Sequence, residues 1–297
     1  MKCVFAAAAL ATVAACKSAP VPLPATATVV APDAGPGDAG LAQPSLLEEA
    51  QAAWARRDVD AGALDRAISL WEQAALEGAS PAETLLSAAR ARRARLDRFV
   101  QNSLEVSRAE VADAQACAAE AHRSWAAQFP QATGAFVQFV QIEQAGAEAL
   151  YLEAVCTSLW ARMQGFSLLI DRRTQLLGAL TRVSELSPAL DGAGAERELG
   201  SLLATLPGYA GGSLSEARAH FDAAIRIAPQ EPRNHLLLAR TVAVKAQDRA
   251  LFENELRVAI QSSDADIAAQ AEALLRRASD LFDPAEAAQP APGGAQK

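Results

Sequence analysis

Ser213-Leu214-Ser215-Glu216-Ala217-Arg218-Ala219-His220-Phe221-Asp222-Ala223-Ala224-Ile225-Arg226-Ile227-Ala228-Pro229 is the stretch that decides the fold. Ser213 with Glu216 three residues on is a capping box, which starts a helix by satisfying two orphan N–H groups. Ala217, Phe221 and Ala224 then recur at helical spacing and share one face. Pro229 ends the element, because proline cannot continue a helix it has not begun. The shared face is small–aromatic–small. Two helices cross closely only where small side chains meet, and the aromatic ring fills the wedge beside the crossing. The helix is therefore built to lie against another helix.

Outward from this stretch the same grammar continues. Amphipathic segments are predicted over Leu46–Arg56, Leu64–Leu76, a helix opening at Ser80-Pro81-Ala82-Glu83, Ser107–Gln128, Ile142–Met163, Phe166–Leu186 and Ala195–Leu206. Beyond the opening stretch come Arg233–Ala246, Asp248–Gln261 and Asp266–Leu281, with Asp248 a predicted N-cap. Pro81 stands at a first helical position, where its missing N–H costs nothing. No segment alternates with period two, so no strand is predicted. Short connections make neighbouring helices antiparallel partners.

The pattern repeats, and the repeat resembles the tetratricopeptide unit. Ala67, Trp71 and Ala74 echo Ala217, Phe221, Ala224 and Pro229. Leu199-Gly200 stands where the first helix of such a unit carries its Leu-Gly pair, about five residues early, with Leu206–Gly211 as the insertion. Ala121 and Trp125 give a weaker third copy. The expected fold is all-α, a tetratricopeptide-like solenoid of helical hairpins with about 10–12 helices.

The N-terminus resembles a lipoprotein signal. Lys2 supplies a positive start, Val4 to Val13 is an apolar run, and Val13-Ala14-Ala15-Cys16 resembles a bacterial lipobox. The run is about half the roughly 20 residues a spanning helix needs. Residues 1–15 are accordingly expected to be a signal peptide, with Cys16 acylated and the mature chain held to a bilayer by its acyl chains. Residues 16–44 are rich in Ala, Pro, Val and Thr and read as a disordered linker able to span about 30 Å. Residues 45–283 form the helical domain, and 284–297 a disordered tail. Lys17, in place of aspartate after the cysteine, resembles an outer-membrane rather than an inner-membrane sorting signal.

Composition limits the chemistry. Apolar residues make up 51% of the chain and aromatics 5%, a mix dominated by Ala and Leu that suits helices. The net charge of −8 removes the electrostatic driver for nucleic-acid binding. His122, His220 and His235 form no metal-ligand doublet and read as helix-surface residues, so neither a metal nor a cofactor is expected. No nucleophile elbow or phosphate loop is present, and Gly208, Gly211 and Gly212 read as a flexible link between two helices. Catalytic residues are therefore none. Cys117 and Cys156 allow one disulfide, but two separate buried thiols packing as small hydrophobes is the preferred reading. Arg90, Arg92, Arg93, Arg95 and Arg98 cluster on one helix. They read as a solvated face, with anionic lipid or an acidic partner as the alternative.

From Leu206-Pro207-Gly208-Tyr209-Ala210-Gly211-Gly212-Ser213 through Phe221, and again at Leu238-Ala239-Arg240, Gln247-Asp248-Arg249-Ala250-Leu251-Phe252 and Leu256, the chain resembles the TRAP-transporter T-component family. The resemblance spans roughly residues 45–283 and is strongest from about 195. Pro207, Gly212, Asp248, Arg249 and Phe252 carry it. It implies a periplasmic lipoprotein that associates with a solute-binding protein and handles an apolar ligand. In the structure that follows from it, Asp248 caps, Phe252 enters the core and Arg249 bridges to a neighbouring helix. The stacked pairs would enclose a groove lined by Ala, Leu and Val. The alternative is a general envelope scaffold that holds peptides or other lipoproteins. The long helix from Ser107 and the few Tyr and Trp residues depart from the family pattern.

Overall fold

The computed structural model describes residues 45–100, 107–133 and 139–282. Cys16, the predicted signal, the linker and the tail lie outside the described residues, as does the side chain of Arg98. Twelve α-helices and no strand occur among the described residues. They are α1 (Leu46–Ala55), α2 (Ala63–Leu76), α3 (Pro81–Val100), α4 (Arg108–Gln128), α5 (Ala147–Gln164) and α6 (Phe166–Leu186). The second half holds α7 (Gly194–Thr205), α8 (Leu214–Ile227), α9 (Pro232–Leu238), α10 (Arg249–Ile260), α11 (Ala265–Arg276) and α12 (Ala278–Leu281).

Local chemistry explains the boundaries. Ser45 and Ser107 each accept the N–H of the glutamate three residues on, and Glu48 and Glu110 bond back to the cap N–H. Both boxes are complete. At α8 and α10, Ser213 accepts from Glu216 N and Asp248 from Leu251 N. Gly165, at φ 133°, separates α5 from α6 in a conformation open to glycine. Before α5, where a continuous helix from Ile142 is expected, the chain instead makes short 3₁₀ turns at Phe139–Gln141 and Gln144–Gly146. A Cβ at Gly146 would lie 2.6 Å from the Phe129 ring and 2.8 Å from Ile142, so this corner is closed by packing. The helix predicted over Arg233–Ala246 is also divided. It begins as α9 and passes into a π-helical turn at Ala239–Ala243.

Each helix packs mainly on the one before and the one after it, from α1 on α2 through to α10 on α11. Contacts that skip one helix are sparse and join α3 to α5, α7 to α9 and α9 to α11. This is the nearly one-dimensional packing of a repeat array. The core follows suit as a chain of local clusters. One joins α1–α3 around Trp71, a second joins α4–α7 around Trp125, and a third joins the π turn and α9–α12 around Phe252. Cys117 on α4 is bonded to Cys156 on α5, which overturns the expectation of two free thiols. The pair sits one above the other because α4 and α5 lie side by side, a juxtaposition that spacing along the chain does not reveal.

Candidate functional site

The repeat residues meet as pairs. Ala67 and Ala74 are buried on α2, and Trp71 packs at 6.0 Å, tilted, against Trp54 of α1. Ala217, Phe221 and Ala224 are wholly buried on α8, and Leu199 is buried on α7. At Gly200 the two helices touch most closely. A Cβ there would stand 2.8 Å from the Phe221 ring and 3.0 Å from the Ala217 carbonyl oxygen. Pro229 lies exposed beyond the end of α8, and its carbonyl accepts a bond from His235 Nε2 at 3.1 Å. Phe252 is buried edge-on to Phe282, with centroids 5.0 Å apart. Arg249 does not bridge to another helix: it pairs with Glu253 one turn along α10, because Asp248 places it on the exposed first turn.

Between α7 and α8 the glycines form a hydrogen-bonded turn, not a flexible link. Pro207 O accepts from Ala210 N and Gly212 N, and Ser213 N reaches back to Leu203 O. Arg173 of α6 donates to Ala210 O at 2.6 Å. A Cβ at Gly212 would fall 1.8 Å from the Leu206 carbonyl oxygen, so only glycine fits.

Arg92 and Arg95 of the α3 cluster turn inward and pair with neighbouring helices, contrary to both readings of them. Arg92 bonds to Glu72 of α2 and to Asp113 and Glu120 of α4, the last two at 2.7 and 2.9 Å. Arg95 bonds to Asp113 and Asp65, Arg90 to Glu148, and Arg93 to Asp97. Here α3 is clamped between neighbours by charge. Burial pushes the Glu120 carboxyl up to about 7, because Arg92 divides its charge among three carboxylates and offsets that only in part.

A second polar centre sits where α5, α7 and α9 meet. Arg197, 2% exposed, donates to Asp191 Oδ2 at 2.6 Å, to Tyr151 Oη at 3.2 Å and to Asn234 Oδ1 at 3.1 Å. It also holds the Asp191 and Gly192 carbonyls. Arg233 closes on Asp191 at 2.8 Å and on Glu231 at 2.6 Å. Burial acts to raise the Asp191 carboxyl, but the two guanidiniums outweigh it and hold the group below the ordinary range. Asp191, Gly192 and Ala193 all have positive φ, so this loop is strained and pinned by the arginine.

Beside this centre lies a polar cleft. A cavity of about 610 Å³ is lined by residues such as Arg93, Asp97, Glu231, Arg233 and Asp264, and one of about 270 Å³ by Arg197, Glu198 and Arg240 among others. They share Arg93, Asp97, Arg233 and Ile267, so α3 faces α9 and α11 across a continuous space. A third cavity of about 330 Å³ lies over α4–α6, lined by His122, Glu153, Trp160 and Arg172. All three are rich in polar and charged side chains. None of these three is the expected groove of Ala, Leu and Val: buried alanines such as Ala67, Ala217 and Ala224 sit instead at helix crossings, where their small size is needed.

Each histidine meets a glutamate of another helix: His122 with Glu153, His220 with Glu196 and His235 with Glu255. His235 is buried, contrary to the surface reading. Burial would lower its pKa, but Glu255 and the Pro229 carbonyl outweigh this and raise it. Among the described residues no group of His, Cys, Asp and Glu is arranged to hold a metal. No helix of the described residues is long and apolar enough to cross a membrane.

A profile of the TRAP transporter T-component family matches residues 138–282. Over that span the chain is similar to the TRAP transporter T-component family. The T-component span takes in α5–α12, including the Pro207–Gly212 turn, the Asp248 cap and Phe252. Helices α1–α4 precede it, so the match is narrower than the resemblance over 45–283. The polar cleft joins α3, outside the T-component span, to α9 and α11 within it. No curated protein matches the chain significantly.

Proposed function

We propose that the protein is a lipoprotein acylated at Cys16, held at the periplasmic face of the outer membrane, and serving TRAP-type solute uptake as a non-catalytic binding module. The family match over α5–α12 carries this reading, and the lipobox-like Val13-Ala14-Ala15-Cys16 adds the anchor. Its partner is the periplasmic solute-binding protein. A stack of helix pairs offers a broad, ordered surface, and protein docking of this kind needs shape and charge more than reactive groups. Consistent with that, Arg92, Arg95, Arg197 and Arg233 serve structural pairs.

The test is recovery of partners from native envelopes with the tagged full-length chain. The reading requires a solute-binding protein in the eluate. It also requires that Cys16→Ala shift the chain from the membrane fraction to the soluble fraction. Recovery of assorted lipoproteins without a solute-binding protein would replace it with the envelope-scaffold alternative.

A further inference from the structure

The smaller arm of the cleft contains an unmatched set of polar groups. Arg240, on the π-helical turn, has no hydrogen-bond or ion-pair partner among the described residues, although it lines a cavity with Glu198. Arg162 repels it, and Glu198 attracts it from beyond ion-pair distance. Gln270 lines the same cavity, and its Nε2 is buried with no acceptor. Glu198 likewise has no hydrogen bond or ion pair among the described residues. The other arginines here are already engaged: Arg93 with Asp97, Arg197 with Asp191, and Arg233 with Asp191 and Glu231. Leu236, Leu237 and Ile267 supply an apolar wall.

Buried donors left unsatisfied need a partner. Gln270 Nε2 is the buried donor that calls for an acceptor, and the exposed Arg240 offers the same acceptor a second, unpaired donor at the cavity's rim. A guanidinium prefers a planar carboxylate, which it can hold through two bonds. One free carboxylate, Glu198, calls for a cation. The aliphatic wall calls for a short apolar body. The volume, at ~30 Å³ per water-sized unit, holds about nine such units, which suits a small molecule and excludes a peptide. The π-helical turn adds to the case, since such turns interrupt helices mostly where a site needs a side chain re-aimed.

We propose that this cavity binds a small zwitterion of the aliphatic amino-acid class. Its carboxylate lies on Arg240 and Gln270, its ammonium on Glu198, and its side chain on Leu236, Leu237 and Ile267. The site is independent of the docking role proposed above, because it is assayed on the isolated chain with no partner present.

Isothermal titration of the purified full-length chain with L-leucine, 4-methylpentanoate and isoamylamine tests it. The last two lack the ammonium and the carboxylate respectively. Leucine should bind, and each truncated analogue should bind at least about tenfold more weakly. Arg240→Gln should abolish leucine binding, and Glu198→Gln should weaken leucine while improving 4-methylpentanoate. Arg240 supports no other group, so the variant should keep the parent's circular dichroism and melting temperature. Gln270→Leu, which removes the unsatisfied donor, should weaken leucine without destabilising the fold. The proposal fails if leucine gives no saturable heat, if either analogue matches it, or if Arg240→Gln leaves it unchanged.

Discussion

Gly200→Ala tests the claim that α7 and α8 are a close-packed pair. Ordinary carbon–carbon contact is about 3.5–4.0 Å. The added Cβ would stand 2.8 and 2.9 Å from two atoms of the Phe221 ring and 3.0 Å from the Ala217 carbonyl oxygen. Phe221 is wholly buried and cannot swing away, and the carbonyl is backbone. The helices must therefore part by several tenths of an ångström, and such overpacking costs about 1–3 kcal/mol. Alanine returns about 1 kcal/mol through helix propensity. The net loss is about 0–2 kcal/mol, or up to roughly 8 °C in Tm at about 2–4 °C per kcal/mol. Gly208→Ala is the control, since nothing lies within 4 Å of its Cβ and it should be near neutral. Phe221→Leu in the Gly200→Ala background should recover part of the loss, a coupling read by a double-mutant cycle in urea. A Gly200→Ala variant more stable than the parent, or one that shows no coupling to Phe221→Leu in the cycle, would refute the packing argument.

Breaking the Cys117–Cys156 bond, by reduction or as Cys117→Ser with Cys156→Ser, should cost up to about 4 kcal/mol from loop entropy at a separation of 39 residues. A melt with and without reductant reads it. Arg197→Met should cost about 1–3 kcal/mol, because Tyr151, Asn234 and the Asp191 and Gly192 carbonyls lose a buried donor while Arg233 keeps Asp191 paired. Urea unfolding measures this, and Tyr151→Phe should cost far less. Glu120 carries a pH dependence whose sign is fixed. Burial holds its folded pKa at about 7, above the ordinary glutamate value of 4.5, so its contribution is fullest below about 4.5 and is lost as pH rises through about 7. Glu120→Gln should flatten that fall in Tm, and an unchanged pH profile would contradict the assignment.

Helix count and class were readable from the chain because caps and prolines are local. Ser213, Asp248 and Pro229 act within one turn of where they stand, and the predicted limits fall close to the observed ones. What could not be read depends on partners far along the chain. The arginines of α3 look like a solvated face until α2 and α4 bring Glu72, Asp113 and Glu120 to them. Cys117 and Cys156 look like two thiols until α4 lies on α5. The cavities described are lined by charge for a related reason: buried alanines such as Ala67 and Ala217 mark where helices touch, which leaves longer side chains to line the space between them. The strained Asp191–Ala193 loop and the π turn under Arg240 carry no local signature, since each is imposed by tertiary contacts. The Leu199-Gly200 pair was the better guide, because a glycine beside an aromatic at a crossing is a local pattern with a tertiary meaning.

Docking to a solute-binding protein is the central claim, and sedimentation velocity of the two purified proteins addresses it most directly. Mixing the delipidated chain with the TRAP solute-binding protein from the same cell should yield a new, faster boundary at micromolar concentration. Two boundaries that migrate as the separate proteins do, at every concentration reached, would contradict it.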